Sequence, residues 1–349
     1  MKIRSVVLLA LIVVIAGCCG PENDCADTSS NEVAELRGPY FGQAVPGSEP
    51  QLFAPDFVSS GLDTRDVAMT PDGKEFYFVA FVGGKAVIMV SALEDDLWSE
   101  AVVAPFSGRF LDAEPCISPD GGRFFFLSTR PLPGQEAKEG WVYQDIWVMD
   151  RLEEGWGEPY NLGAPVNSDA PEYFPSVTSD GTMYFTREGE NRVSAIFRSR
   201  LVDGGYSEIE RLPDQVNLGT NRFNAFVAPD ETFVIVPAIG GPDSLGGVDY
   251  YVVFRNDDDS WSEPVNLGEK INQPTGQEWS ASLSPDGKYL FFMSSRTTGD
   301  EIDSLTGKPL SELLNIASHA GKGSSGIWWV DAQVIYDLRP PIPPPSPRP

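Results

Sequence analysis

Histidine is almost missing from this chain: His319 is the single one in 349 residues. A zinc site or a Ser-His-Asp set needs partners that a lone histidine does not have, and no G-x-S-x-G turn occurs to carry a nucleophile. Cysteine is nearly as scarce. Cys18, Cys19, Cys25 and Cys116 show no metal-ligand spacing, and Cys116 reads as a small buried hydrophobe. No cofactor and no metal site is expected. Basic residues are few as well: 25 Lys and Arg against 51 Asp and Glu leave a net charge of −26. A surface that acidic is repelled by phosphate backbones, which disfavours nucleic-acid binding. Asp257, Asp258 and Asp259 form a local acid cluster, but they lack the spaced oxygen-ligand pattern of a calcium loop.

Long apolar runs are absent too. The one apolar stretch, residues 6–16, follows Met1-Lys2-Ile3-Arg4 and leads to Gly17-Cys18. It is too short to span a bilayer and has the charged, apolar and small-residue order of a secretory signal. Residues 1–17 are therefore read as a signal peptide. Residues 18–50 are polar and rich in Gly, Pro, Ser and acids, the composition of a flexible tether. At the other end, residues 339–349 form an extended proline-rich tail.

What the chain has in abundance is one short phrase. It stands as Thr70-Pro71-Asp72-Gly73-Lys74, Ser118-Pro119-Asp120-Gly121-Gly122, Ser179-Asp180-Gly181, Ala228-Pro229-Asp230-Glu231 and Ser284-Pro285-Asp286-Gly287-Lys288. Pro fixes φ, Asp caps the turn and Gly supplies a positive φ. A return every roughly 50 residues marks repeated supersecondary units. Each turn is followed by a short run of β-formers, at 75–79, 123–127, 182–186, 232–236 and 288–293, and then by a second run opening at 86, 145, 195, 249 and 326. After a polar turn, aromatic-led segments begin at Trp98, Trp156, Tyr206 and Trp261 and read as outer strands. Two continue into matching tails that end in Val166-Asn167 and Ile271-Asn272, with a partial match at Val216-Asn217.

Four-stranded meanders repeated in this way predict an all-β chain folded as a single β-propeller. Five blades are expected over residues 51–338, with six as the alternative. The fifth repeat lacks an outer strand, and residues 51–58 are expected to supply it and close the ring. Its second loop carries an insertion, residues 297–325, in which residues 309–317 read as a short helix begun by Pro309. That insertion is a candidate lid or docking element, and it contains His319.

The Ser-Pro-Asp-Gly-Lys turn, the strand endings at Arg130 and Arg296, and Asp145-Ile146-Trp147-Val148 together resemble the TolB-type, WD40-like β-propeller repeat. The resemblance covers about residues 51–335. It implies a propeller of the bacterial envelope that serves as a protein-interaction or ligand-binding scaffold, and it implies no single activity. Ser179, Glu231 and Gly326 depart from the repeat, which bars transfer of function blade by blade. Ile15-Ala16-Gly17-Cys18 likewise resembles the bacterial lipobox. That implies a lipid on Cys18 and a membrane anchor, against the alternative of a plain signal peptide cut nearby.

Inner strands of a propeller line its channel, and their starts share a face with the second loop of each blade. Counting back from the turn proline gives Thr64, Asp112, Glu172, Arg222 and Glu278 at seven positions. At six positions stand Arg65, Ala113, Tyr173, Phe223 and Trp279. At five positions stand Asp66, Glu114, Phe174, Asn224 and Ser280. The candidate ligand-binding residues are accordingly Arg65, Asp66, Asp112, Glu114, Glu172, Tyr173, Arg222, Asn224, Glu278 and Trp279, which combine aromatics with convergent polar groups. Arg130 and Asp145 flank one loop and are expected to pair across it. The expectation is a monomeric scaffold, lipid-anchored in the envelope on the periplasmic or the outer side, that binds an envelope protein or a glycan. The alternative is a glycan-active enzyme using Asp66, Glu114, Glu172 or Glu278 as acid and base, with Trp279 and Tyr173 as stacking platforms.

Overall fold

The five turns fold as their residues dictate. Hydroxyls of Thr70, Ser118, Thr178 and Ser284 donate to the turn aspartates Asp72, Asp120, Asp180 and Asp286 at 2.5–2.7 Å. Each aspartate also accepts an N–H from two residues further on. The bond from its hydroxyl neighbour holds the carboxyl of Asp120, and likewise that of Asp180, below the usual range. Gly73, Gly121, Gly181 and Gly287 follow at φ 70–85°, where a Cβ is costly.

These turns join the two inner strands of five four-stranded antiparallel sheets. The computed structural model describes residues 36–340 except 275, 297–304, 318–320 and 322–323. Residues 1–17, expected as a signal peptide, Cys18 and the rest of 18–35, His319 and residues 341–349 lie outside the described residues. Naming strands a to d from the channel outward, blade 1 is Asp63–Met69, Glu75–Val82, Lys85–Glu94 and Val102–Val103. Blade 2 is Asp112–Ile117, Arg123–Ser128, Asp145–Asp150 and Tyr160–Asn161. Blade 3 is Glu172–Val177, Met183–Glu188, Ser194–Ser199 and Glu210–Arg211. In blade 4, strand a is split into Asn221–Arg222 and Phe226–Val227, followed by Phe233–Ile239, Asp249–Phe254 and Val265–Asn266. Blade 5 is Ala281–Leu283, Tyr289–Ser294 and Gly326–Asp331, and its strand d is Gln51–Leu52 from the start of the chain. The ring is a five-bladed propeller closed by its N-terminal strand, as the repeat pattern predicts.

Closure is apolar. Phe41, Phe53, Phe76, Phe291 and Trp329 are buried together between blades 5 and 1. The span 36–50, expected as the end of a flexible tether, is packed here instead. Arg37 bridges to Leu97, Phe41 stacks 4.2 Å from Trp98, and Tyr40 lies 5.3 Å from Trp329. Two aromatics in a row at positive φ, Tyr40 at 53° and Phe41 at 57°, turn both rings inward.

The outer strands also differ from expectation. Trp98, Trp156, Tyr206 and Trp261 do not start strand d but anchor the c–d turn, and strand d begins four residues later. The reason lies in the next residue. In three blades Ser99, Ser207 and Ser262 bond to the end of strand c through both their N–H and their hydroxyl. That closes a turn where pairing would otherwise begin.

The matching tails are explained by their last residue. Asn167, Asn217 and Asn272 each accept the N–H and donate to the carbonyl of one residue in strand c, at Ile146, Ile196 and Tyr250. A side-chain amide thus stands in for a strand-d residue. Asn272→Ala leaves the buried N–H of Tyr250 unpaired, while its carbonyl keeps the Leu267 N–H at 3.1 Å, and the loss is expected to be roughly 1–3 kcal/mol. Urea denaturation reads this directly, and a loss below about 0.5 kcal/mol would contradict the role.

Glu231, where the repeat calls for Gly, sits at φ 59°. Its carboxylate receives the hydroxyl of Tyr184 at 2.6 Å from blade 3 and pairs with Arg255 and with Arg198. An interblade ion network offsets the backbone strain. Asp259 belongs to the same network, 3.1 Å from Arg198 and 2.7 Å from Arg255, and those arginines depress its pKa to about 2. The helix expected in the insertion is present as Leu310–Ala317, with Pro309 just ahead of it.

Candidate functional site

A bulge in strand a decides what enters the channel. Asp66, Glu114, Phe174 and Asn224 all stand at φ 49–58°, and the pairing register slips beside the first three. Asp and Asn tolerate this left-handed region through local hydrogen bonding, whereas Glu and Phe are strained there. The strain is held by bonds that run from blade to blade. Asp66 accepts the hydroxyl of Ser280 from blade 5 and the N–H of Glu114 at 3.3 Å from blade 2. Glu114 in turn accepts the N–H of Phe174 at 2.8 Å from blade 3.

Arg65 lies across this ring, 3.1 Å from Asp66 and 3.5 Å from Glu114. Its guanidinium is covered by Phe81 at 5.2 Å and Trp279 at 6.0 Å, and Phe223 meets Trp279 edge-on at 6.2 Å. Arg65, Asp66 and Glu114 are at most 9 % exposed, so this end of the channel is filled by a polar plug. Burial is the main cause that raises the Glu114 carboxyl to about 7, opposed by Arg65 and reinforced by Asp66. The structure therefore brings Arg65, Asp66, Glu114, Asn224 and Trp279 together as expected. Tyr173 packs nearby, with its hydroxyl 2.8 Å from Ser194.

The seven-back column does something else. Asp112 is bonded to Arg130 at 2.9 Å and to Ser128 at 2.6 Å. Glu172 is bonded to Arg187 at 2.6 Å and to Ser168. Glu278 receives Ser294, whose hydroxyl also accepts from Arg296. Each arginine then donates to carbonyls of the preceding connection: Arg130 to Phe106, Arg187 to Val166, and Arg296 to Lys270 and Ile271. In blade 4 the arginine has moved to strand a, where Arg222 donates directly to Leu218, Gly219 and Ser194. Asp112, Glu172, Arg222 and Glu278 thus act as blade-to-blade latches within the protein. Burial also raises Glu172, and it raises Glu278 to about 7. The expected Arg130–Asp145 pair is not formed. Arg130 is taken by Asp112, and Asp145 accepts from Asn161 at 2.8 Å.

The open space is at the other end. Beneath the plug, facing the Pro-Asp-Gly turns, is a cavity of about 270 Å³ to which all five blades contribute. Its walls carry Met69, Ile117, Val177, Val227 and Leu283, and its rim carries Pro71, Pro119, Pro229 and Pro285. Of the expected ligand residues, Asp66 alone lines it, at the floor. Cys116, read as a buried hydrophobe, lines this space half-buried, and burial pushes its thiol up to about 12. The hydroxyl of Ser282, also in the wall, is buried with no hydrogen-bond partner among the described residues. A signal for this site was present: the residue two before each turn proline, or before Ser179, is apolar in all five repeats. Among the described residues no group of three or more His, Cys, Asp and Glu side chains has metal-site geometry.

No family model matches the chain, and no curated protein matches it. Solved structures do. TolB from Acinetobacter baumannii aligns with a TM-score of 0.46 and 16 % identity, over 77 % of this chain and 57 % of that one. A TolB candidate from Agrobacterium tumefaciens aligns at 0.43 and 19 %, over 67 % and 70 %. Kuenenia stuttgartiensis hydrazine synthase aligns at 0.41 and 13 %, over 78 % and 87 %. The chain spans little more than half the length of the first of these. The TolB-type resemblance of the repeats is thus matched among solved structures, at scores and identities that lend the chain neither an activity nor a partner.

Proposed function

We propose that this propeller is a binding scaffold and not a catalyst, and that its ligand is an extended peptide of a protein partner seated in the cavity on the Pro-Asp-Gly face. The observation that carries this reading is the cavity itself, walled by all five blades and largely apolar. Apolar walls with a few polar groups suit apolar side chains and backbone carbonyls. Sugar stacking would need the aromatic platforms, and those stand at the opposite, filled end. A glycan-active enzyme would also need accessible carboxylates. Asp66 and Glu114 are 4 % exposed and Glu172 and Glu278 0 %, each already committed to a partner inside the protein.

A peptide-array screen on the full chain tests the site. Binders found with the wild type are expected to weaken about tenfold or more in Cys116→Phe, a change that fills the cavity. They are expected to bind Trp279→Ala normally. The reverse pattern would move the site to the other face.

In the same reading Cys18 bears a lipid that ties the propeller to a membrane surface of the envelope. Among the described residues no helix is long and apolar enough to cross a membrane. Cys18→Ser is expected to shift the protein from the membrane to the soluble fraction and to remove the lipid mass from its N-terminal peptide. Unchanged partitioning would refute the anchor.

A further inference from the structure

The seam between blades 1 and 2 carries a second open space, a cleft of about 470 Å³ that shares no residue with the channel cavity. The connection between the two blades, residues 104–111, brings Arg109 and Phe110 into its lining. That connection is pinned on both sides of the pair. Ser107 accepts the N–H of Ile88 at 3.0 Å and donates to Asp112 at 3.0 Å. Leu111 accepts the N–H of Thr129 at 3.0 Å and donates to its hydroxyl at 3.1 Å. Ser107 stands five residues before Asp112, as Asn167 does before Glu172 and Asn217 before Arg222. In that register Arg109 and Phe110 match Asp169-Ala170 and Gly219-Thr220. Of these three connections, only this one holds a cation and an aromatic ring there, and departures from a repeat mark function more often than fold.

The charges of the cleft are unusual for this chain. Two guanidiniums lie over the Phe110 ring, Arg109 at 5.3 Å and Arg130 at 5.7 Å. Arg109 is exposed and has no carboxylate within ion-pair distance among the described residues, in a chain with 51 acids to 25 bases. Arg130 uses Nε on Ser128 and Nη2 on Phe106 and Asp112. Its Nη1 has no partner among the described residues and is not closed off from solvent. Two acids share the lining. Glu75 is held by Arg151 at 2.8 Å, whereas Glu158 is exposed and pairs with no described cation. Phe106, Phe110 and Trp156 are half-buried and leave ring surface to the cleft.

A guanidinium fits a carboxylate through two parallel hydrogen bonds. Glu158 disfavours a doubly charged phosphate and accepts the ammonium or amide N–H that stands beside an α-carboxylate. We propose that the cleft binds the α-carboxylate of an apolar or aromatic amino acid, either free or as the last residue of a peptide. Arg109 and Nη1 of Arg130 hold the carboxylate, and the side chain packs among Phe106, Phe110 and Trp156. This site is separate from the channel cavity and does not depend on it.

Calorimetric titration of the full chain with three probes tests this. They are phenylalanine, N-acetylphenylalanine and N-acetylphenylalanine amide, which lacks the carboxylate. At least one of the two carboxylates is expected to bind with a Kd of about 1 mM or tighter, and the amide about tenfold or more weakly than that. Arg109→Ala removes no ion pair, so it is expected to keep its melting temperature while losing about tenfold or more in carboxylate affinity. Cys116→Phe, which fills the channel cavity, is expected to bind as the wild type does. Tighter binding of phenylalanine assigns a free amino acid, and tighter binding of N-acetylphenylalanine a peptide end; either supports the site. No saturable binding of either carboxylate at about 10 mM overturns the proposal. So does equal binding of the amide, or undiminished binding by Arg109→Ala. Loss in Cys116→Phe alone would place the ligand in the channel and likewise overturn it.

Discussion

Phe53→Ala is expected to remove about 3–5 kcal/mol of stability, the range for deleting a fully buried phenylalanine. Phe53 is 0 % exposed, and its ring lies 4.9 Å from Phe291, 5.0 Å from Trp329, 5.2 Å from Phe76 and 5.7 Å from Phe41. It also follows directly on Gln51–Leu52, the outer strand of blade 5, and its N–H donates to the Ile327 carbonyl at 2.8 Å. Two residues of strand pairing are too little to hold a ring shut, so the aromatic cluster must carry the closure. Urea denaturation gives the size of the loss, and hydrogen exchange gives its place. Protection should fall first in blades 5 and 1, on either side of the seam, and last in blade 3 across the ring. An equal loss of protection around all five blades would mean that the seam is not the weak point. Tyr160→Ala, at a side chain 43 % exposed, should change stability by no more than about 0.5 kcal/mol.

The turns and inner strands were legible because Pro-Asp-Gly fixes its own geometry from residues adjacent in sequence. The closing strand was legible by arithmetic, since a fifth blade short of one strand leaves one position for residues 51–52. Residues 36–50 were not legible. Their polar, Gly- and Pro-rich composition is that of a tether, and two consecutive aromatics at positive φ leave no periodicity to read. The outer strands begin four residues later than the aromatics suggest because in three blades the Ser after the aromatic bonds back to strand c through its side chain, and such closures have no hydrophobic pattern. The candidate site was half legible. Counting back from the turn found the residues that face the channel, but not what they touch. Asp112, Glu172 and Glu278 occupy positions like those of ligand carboxylates, and only the carbonyls reached by Arg130, Arg187 and Arg296 reveal them as latches. Which end of the channel is open depends on one side chain, Arg65, whose direction is set by two carboxylates from different blades.

Arg65→Ala is therefore expected to do more than shorten a side chain. It would leave Asp66 and Glu114 facing each other in a buried ring, and removing one partner of a buried ion pair costs about 3–5 kcal/mol. The loss should depend on pH in a defined direction. Burial already lifts Glu114 to about 7, and Arg65 is the first group opposing that rise. A folded carboxyl that binds its proton more tightly than the unfolded chain, which titrates near 4.5, adds stability that is complete below about pH 4.5 and is lost as pH rises through about 7. Glu278, also raised to about 7, gives the wild type the same slope, so the difference between variant and wild type isolates the effect of Arg65. Without Arg65 the Glu114 carboxyl moves higher still and protonates in the folded state, which spares the variant part of the cost in acid. Urea titrations at pH 5 and pH 8 should show the smaller penalty at pH 5, by up to about 1.4 kcal/mol, since the wild-type carboxyl gives up its proton only above about pH 7. Arg65→Met combined with Glu114→Gln, which removes charge on both sides, should recover much of the loss at pH 8. Equal penalties at the two pH values, with no recovery in the double variant, would mean that Arg65 serves by its packing against Phe81 and Trp279 and that the plug is not held by charge.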